Sequence, residues 1–299
     1  MKKFLIYFFS QCQPFLSPPI NSRARSHVRK LSTTRRTLFL GIGMLLMAVI
    51  NSHAGKWQLV WSDEFNYQGL PDPTKWSYEE GFVRNHENQY YTTGRLENAR
   101  VEHGVLVIEG RKDHFTPPDH SPVEYTSASL ITQNKESWQY GRIEVRAKLP
   151  HGRGTWPAIW TLGTNVTQVS WPASGEIDIM EFLGRETNDI HGTVHFAVNG
   201  QHQYDSSIMQ TAKPYKKFHV YAIEWTPDRI DLFFDHTKYH TFLIDKAGVG
   251  PENPFRKPQY LLLNLALGGD WGEAIDDGML PQKFLIDYVR VYKAKDSHP

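Results

Sequence analysis

The chain has 299 residues, with 33 Lys and Arg against 32 Asp and Glu for a net charge of +1, and 40% of it is hydrophobic. That balance argues against proteins that hold nucleic acid or an anionic membrane surface by bulk positive charge. A single cysteine, Cys12, excludes a disulfide framework.

Residues 1–54 hold eight Lys or Arg and no Asp or Glu. They end in "TLFLGIGMLLMAVI", Thr37 to Ile50, followed by Ser52 and Ala54 in small-x-small spacing. Basic, apolar, then small is the order of a secretory signal, with cleavage expected after Ala54. The apolar run is short of the about 20 residues that span a membrane, and an uncleaved anchor is the competing reading. Arg35 and Arg36 before the run loosely resemble a twin-arginine export signal. The leader carries +8, which leaves the mature part at −7 and without cysteine. The expectation is a secreted or periplasmic protein, monomeric, with no nucleic-acid partner and no membrane partner once the leader is removed. No Pro/Ser linker, charge block or repeat divides residues 55–299, so they are expected as one domain.

The body reads as β almost throughout. "GVLVIEGRK" is a β-branched run, and "YGRIEVRAKLP" alternates, with Ile143, Val145 and Ala147 on one side and Arg142, Glu144, Arg146 and Lys148 on the other. "GRGTWPAIWTLG" places Trp156 and Trp160 four apart, on one face of a regular strand. "FHVYAIEWT", "RIDLFFD", "KYHTFLI" and "KFLIDYVRVYK" are further short runs between Gly, Pro, Asp and Asn punctuation. "YLLLNLALGG" is nearly continuous in apolar residues, as in a strand covered on both faces. Many short strands in one cysteine-free domain predict an all-β sandwich or barrel, the jelly roll included.

"GEIDIMEFLG" carries the chemistry. Glu176 and Asp178 are two apart and share a strand face, but a regular strand would send Glu181 into the layer of Ile177 and Ile179. An unpartnered ionised carboxylate there costs several kcal/mol. One extra residue, a β-bulge at Ile179 or Met180, restores the phase and puts all three acids on one face. Paired carboxyls beside aromatic residues point to glycoside hydrolysis, in which a retaining enzyme sets a nucleophile and an acid roughly 5–5.5 Å apart. A solvated acidic face or a cation site is the alternative. Trp171 in "WPASGE" and Trp271 in "GGDWGE" add indoles that either stack on sugar rings or fill core. His191 and His195 have the spacing of a metal pair, without an evident third ligand.

"WPASGEIDIMEFLG", preceded by "WPAIW", resembles the signature of glycoside hydrolase family 16, and its E-x-D-x-x-E form resembles the laminarinase-like, endo-1,3-β-glucanase branch. The likeness runs in order through "LVWSDEFN", "ENQYYT", "LENARVEHGVLVIEGRK", "YGRIEVRAKLPHGRGTWPAIWTLG", "HGTVHF", "YLLLNLALGGDWG" and "FLIDYVRVYK". It implies a concanavalin-like β-jelly-roll sandwich whose concave face is a β-glucan cleft, retention at the anomeric carbon, and no catalytic cofactor. By the resemblance Glu176 is the nucleophile, Asp178 the assisting acid and Glu181 the general acid/base. Asn88, Arg142, Trp156, Trp160, Trp171, His195 and Trp271 fall at cleft-lining positions, with a core histidine the other reading of His195. A structural calcium would fall at Glu64, the Gly104 carbonyl and Asp287, which otherwise are ordinary surface positions. Mixed-linkage glucan, agar or carrageenan are alternative substrates, and a non-catalytic lectin is the alternative class.

Overall fold

A strand that alternates apolar and polar residues must choose which face to bury, and the computed structural model shows how these strands choose. It describes residues 56–118 and 120–295; the expected leader and its cleavage point lie outside them. In β8 (Gly141–Lys148), Ile143, Val145 and Ala147 are buried in the core, while Arg142, Glu144, Arg146 and Lys148 take the other face.

Ten strands form one sheet. Its order is β15 (Thr237–Leu243), β14 (Arg229–Phe234), β13 (His219–Trp225), β8, β17 (Gln282–Ala294), β5 (Val105–Phe115), β6 (Val123–Ser127) and β3 (Gln89–Tyr91). β1 (Trp57–Asp63) pairs with β17, and β4 (Ala99–Glu102) with β5. Seven strands form the other sheet, in the order β12 (Gln201–Gln210), β11 (Asp189–Val198), β10 (Glu176–Glu181), β9 (Thr155–Gly163), β16 (Gln259–Leu267), β7 (Ser129–Ile131) and β2 (Ser77–Glu79). The two sheets make a β-jelly-roll sandwich. Among the described residues no helix is long and apolar enough to cross a membrane.

The core lies between the sheets. Ile177 and Ile179 of β10 and Leu261, Leu263 and Leu265 of β16 meet Ile143 and Val145 of β8 and Tyr221 and Ile223 of β13 in one cluster. Each such aliphatic side chain contributes roughly 1.5–3 kcal/mol on burial. All nine residues of β16 are buried, as its continuous apolar run predicts. Its outward side is covered too, because Tyr260 and Leu262 pack with Ile131, Ala158 and Trp160 in a second cluster. That second cluster underlies the functional face.

Candidate active site

A cavity of about 700 Å³ opens on the outer face of the seven-stranded sheet. Its floor crosses the strands: Asn264 of β16, Trp156 and Trp160 of β9, the acids of β10, His191 and His195 of β11, and His202 and Tyr204 of β12.

The extra residue in β10 is Ile179. Against β9, Asp178 stands opposite Trp160 and Met180 opposite Ile159, so two steps on one strand match one on the other. Against β11, Asp178 stands opposite Thr193 and Glu181 opposite His191, three steps against two. The bulge returns Glu181 to the face of Glu176 and Asp178, and all three line the cavity. A hydroxyl from the opposite sheet supports the irregularity: Tyr239 of β15 places Oη 3.4 Å from the Ile179 carbonyl oxygen. Gly192 leaves room for that ring, since a Cβ there would lie 2.3 Å from Tyr239 Oη.

Indole donors fix the outer two acids. Trp171 Nε1 donates to Glu176 Oε2 at 3.1 Å, and Trp156 Nε1 donates to Glu181 Oε1 at 3.0 Å. Trp271 packs edge-on against Trp156 at 5.4 Å, and the His191 ring packs edge-on to Trp271 at 5.0 Å. His195 Nε2 is 3.2 Å from Asp178 Oδ2, close enough for an ion pair but off the line of a hydrogen bond, and 3.9 Å from Glu176 Oε1. His195 therefore belongs to the cavity, not to the core. His191 does not join it as a metal pair: its Nε2 is 3.0 Å from Glu186 Oε2, and four strand steps, roughly 13 Å, separate the two histidines along β11. Donor atoms of Glu176, Asp178 and His195 do lie within 4.8 Å of one another, so a charge on one is felt by the other two.

Burial dominates the electrostatics. It pushes the Glu176 carboxyl up to about 8, aided by Asp178 and opposed by the charges of His195 and Arg84 and by the Trp171 hydrogen bond. Burial likewise raises Asp178, against a hydrogen bond with Glu176. Glu181 is driven well above the ordinary glutamate range by burial and then by repulsion from Asp178 and Glu176. Three carboxyls so close do not ionise together, and the protons leave as a coupled set.

Two sequence expectations are corrected. Arg142 is not in the cleft. It lies on the outer face of the ten-stranded sheet, bonded to Glu144 Oε2 at 2.9 Å and Glu224 Oε1 at 3.3 Å, because its neighbour Ile143 faces the core. Asn88 does not line the cavity either. Its Oδ1 accepts from Gly269 N at 3.2 Å, and its own N donates to the Leu267 carbonyl at 2.8 Å, so it clamps the loop that carries Trp271. Gly268, at φ 71°, permits this approach. Trp160 reaches the cavity but only 6% of it is exposed, with Nε1 donating to Asn264 Oδ1 at 2.8 Å and the Arg84 guanidinium 4.9 Å over its ring. Arg84, Asn264 and His202 are cavity residues that the sequence reading missed. The last follows an Asn-Gly hairpin signal, whereas the first two carried none.

The positions expected for calcium converge where one edge of β17 passes from β5 to β1: Ile286 pairs with Leu106 and Val289 with Asp63. Both Glu64 oxygens, however, accept from Arg290, at 2.9 and 2.8 Å, and Asp287 Oδ2 accepts from Arg146 at 2.5 Å. Gly104 sits in the β4–β5 turn at φ 76°. With both acids neutralised, these side chains do not fit a cation, and no chemistry is routed through one.

An aromatic-walled hollow on a jelly roll, floored by a phased row of carboxyls, has the parts that a glycoside hydrolase requires. The chain belongs to the glycosyl hydrolases family 16, whose model matches residues 86–290. It is 47% identical over 277 residues to a beta-glucanase of Rhodothermus marinus, covering 87% of this chain and 94% of that one. The solved laminarinase of Rhodothermus marinus superposes with a TM-score of 0.73 at 45% identity, over 80% of this chain and 98% of that one. A LamA variant from Z. galactanivorans in complex with laminaritriose and laminaritetraose is similar at TM-score 0.72 and 37% identity, over 79% and 99% of the two chains.

Proposed function

We propose that the protein is a retaining endo-1,3-β-glucanase that cuts laminarin-type glucan by double displacement. The observation that carries this reading is the bulge at Ile179, which sets Glu176, Asp178 and Glu181 on one side of one strand within the cavity. Glu176 attacks the anomeric carbon while Glu181 protonates the departing glycosidic oxygen; Glu181 then takes a proton from the water that releases the sugar. A site holding one negative charge meets both demands. Glu176 takes the charge when the site gives up a proton, helped by His195, Arg84 and Trp171 against the burial that raises it, and Glu181, driven higher still, keeps its proton because its neighbours repel a second charge. Asp178, two residues along on the same face of β10, orients it.

The linkage rests on the relatives named as laminarinase or glucan endo-1,3-beta-glucosidase and on the one bound to laminaritriose and laminaritetraose. Export, expected from residues 1–54, would bring the enzyme to an extracellular polysaccharide. The test compares wild type and Glu176→Gln on laminarin, mixed-linkage glucan, agar and carrageenan, with products read by chromatography. Wild type is expected to release short β-1,3-linked oligosaccharides, to cut mixed-linkage glucan more slowly and to leave agar and carrageenan intact. Cleavage of agar or carrageenan with laminarin untouched would overturn the substrate, and equal release by Glu176→Gln would overturn the mechanism.

A further inference from the structure

Two histidines touch at the end of the carboxylate row. His195 Nδ1 lies 2.9 Å from His202 Nε2, and the two rings stack with centroids 5.1 Å apart. The His195 ring thus bridges His202 on one side and Asp178 and Glu176 on the other. His202 also packs against Trp171 at 4.6 Å, and Trp171 is the donor to Glu176 Oε2. One side chain from β12 backs both groups that reach Glu176 from this direction.

Its position follows from local sequence. Asn199 and Gly200 have φ of 52° and 74°, the left-handed pair that a two-residue type I′ hairpin requires. The turn sets Val198 opposite Gln201, Ala197 opposite His202 and His195 opposite Tyr204. His202 is thereby a diagonal, same-face neighbour of His195, within reach of its ring.

A hydrogen bond between two ring nitrogens needs one donor and one acceptor. The carboxylates draw an N–H toward them on the Nε2 side of His195, and only a neutral His202 can accept on the Nδ1 side. Burial and the charge of His195 keep His202 below the ordinary histidine range, which favours that neutral form. We propose that His202 is a positioning residue: by accepting the Nδ1–H of His195 it holds the Nε2–H toward Asp178 and Glu176. Facing the His195 ring are Glu176, Asp178 and Glu181 from β10 and His202 and Tyr204 from β12, while Arg84 acts on Glu176 from elsewhere in the cavity. Loss of His202 frees the His195 ring to turn its Nε2–H away from the carboxyls, and the Glu176 carboxyl then moves up.

The kinetic half of this inference rests on the glucanase reading; the spectroscopic half does not. Imidazole ¹⁵N NMR on substrate-free protein compares wild type, His202→Ala and His202→Gln, whose amide oxygen also accepts. A protonated His195 Nδ1 is expected in wild type and in His202→Gln, and a mixture of ring forms in His202→Ala. An unprotonated Nδ1 in wild type, or an unchanged ring in His202→Ala, would overturn the proposal. On laminarin, His202→Ala is expected to lower kcat by about tenfold, the order of one charge-assisted hydrogen bond, with KM little changed and the acid limb of the profile moved to higher pH. His202→Gln should recover most of the loss. A raised KM at constant kcat would make His202 a sugar contact and overturn its positioning role. If wild type leaves laminarin intact, the substrate reading fails and the NMR result alone decides.

Discussion

Glu176→Gln keeps the shape of the side chain and removes its charge, so it separates chemistry from fold. Activity should fall by about 10⁴-fold or more, the order seen when a covalent nucleophile is lost. Stability should move the other way. The ordinary glutamate value is 4.5 and burial raises Glu176 to about 8, so the folded chain holds a proton that the unfolded chain has released. Wild-type stability therefore falls as pH rises between those values. Calorimetry should show Glu176→Gln gaining more over wild type at about pH 8 than at about pH 4; an equal gain at both would show that Glu176 is not raised. Glu181→Gln should cost about 10²–10⁴-fold on polysaccharide, but much less on an aryl glycoside whose leaving group needs no proton. Equal losses on both substrates would remove Glu181 as the acid. The profile that results should reach higher pH than unperturbed carboxyls allow, against the acid-to-neutral optimum that two ordinary glutamates suggest.

At the scale of single elements, β10 works because it is irregular. Tyr239 and Gly192 hold the irregularity from the opposite sheet and the adjoining strand, so their substitution should disturb chemistry from a distance. Gly192→Ala drives a Cβ to 2.3 Å from Tyr239 Oη and 2.4 Å from Leu232 Cδ2. A loss of about 1–3 kcal/mol in denaturant melts is expected, the cost of overpacking, together with lower kcat. Unchanged melts and rates would mean that the bulge needs no such support. The strands themselves were legible because alternation is a local signal, and the bulge because a buried charge forbids the regular alternative. The clamp at Asn88 was not legible, since its partner Gly269 lies far along the chain. Arg142 was legible but overridden: its own alternation with Ile143 placed it outside, while family likeness drew it toward the cleft.

For the sandwich as a whole, the seven-stranded sheet supplies the floor of the cavity and the segments between strands supply its walls, with Arg84, Trp171 and Trp271. The fold class was readable from strand density and from the covered run of β16, because burial on both faces leaves few polar positions, Gln259 and Asn264 among its nine. The cation expectation depended on long-range pairing that no local pattern reports, and Arg290 and Arg146 occupy the acids concerned. Chelation is expected to leave the thermal melt unchanged; a drop reversed by added calcium would show that the arginines yield to an ion.

Covalent trapping reaches the central geometry most directly. A 2-deoxy-2-fluoro β-1,3-linked disaccharide with an activated leaving group slows release of the glycosyl-enzyme, and peptide mapping by mass spectrometry then locates the sugar. The expected result is one sugar on the peptide containing Glu176, attached at that residue. Attachment at Glu181 or Asp178, or turnover with inverted anomeric configuration, would contradict a nucleophile at Glu176 facing an acid that the Ile179 bulge returns to its side.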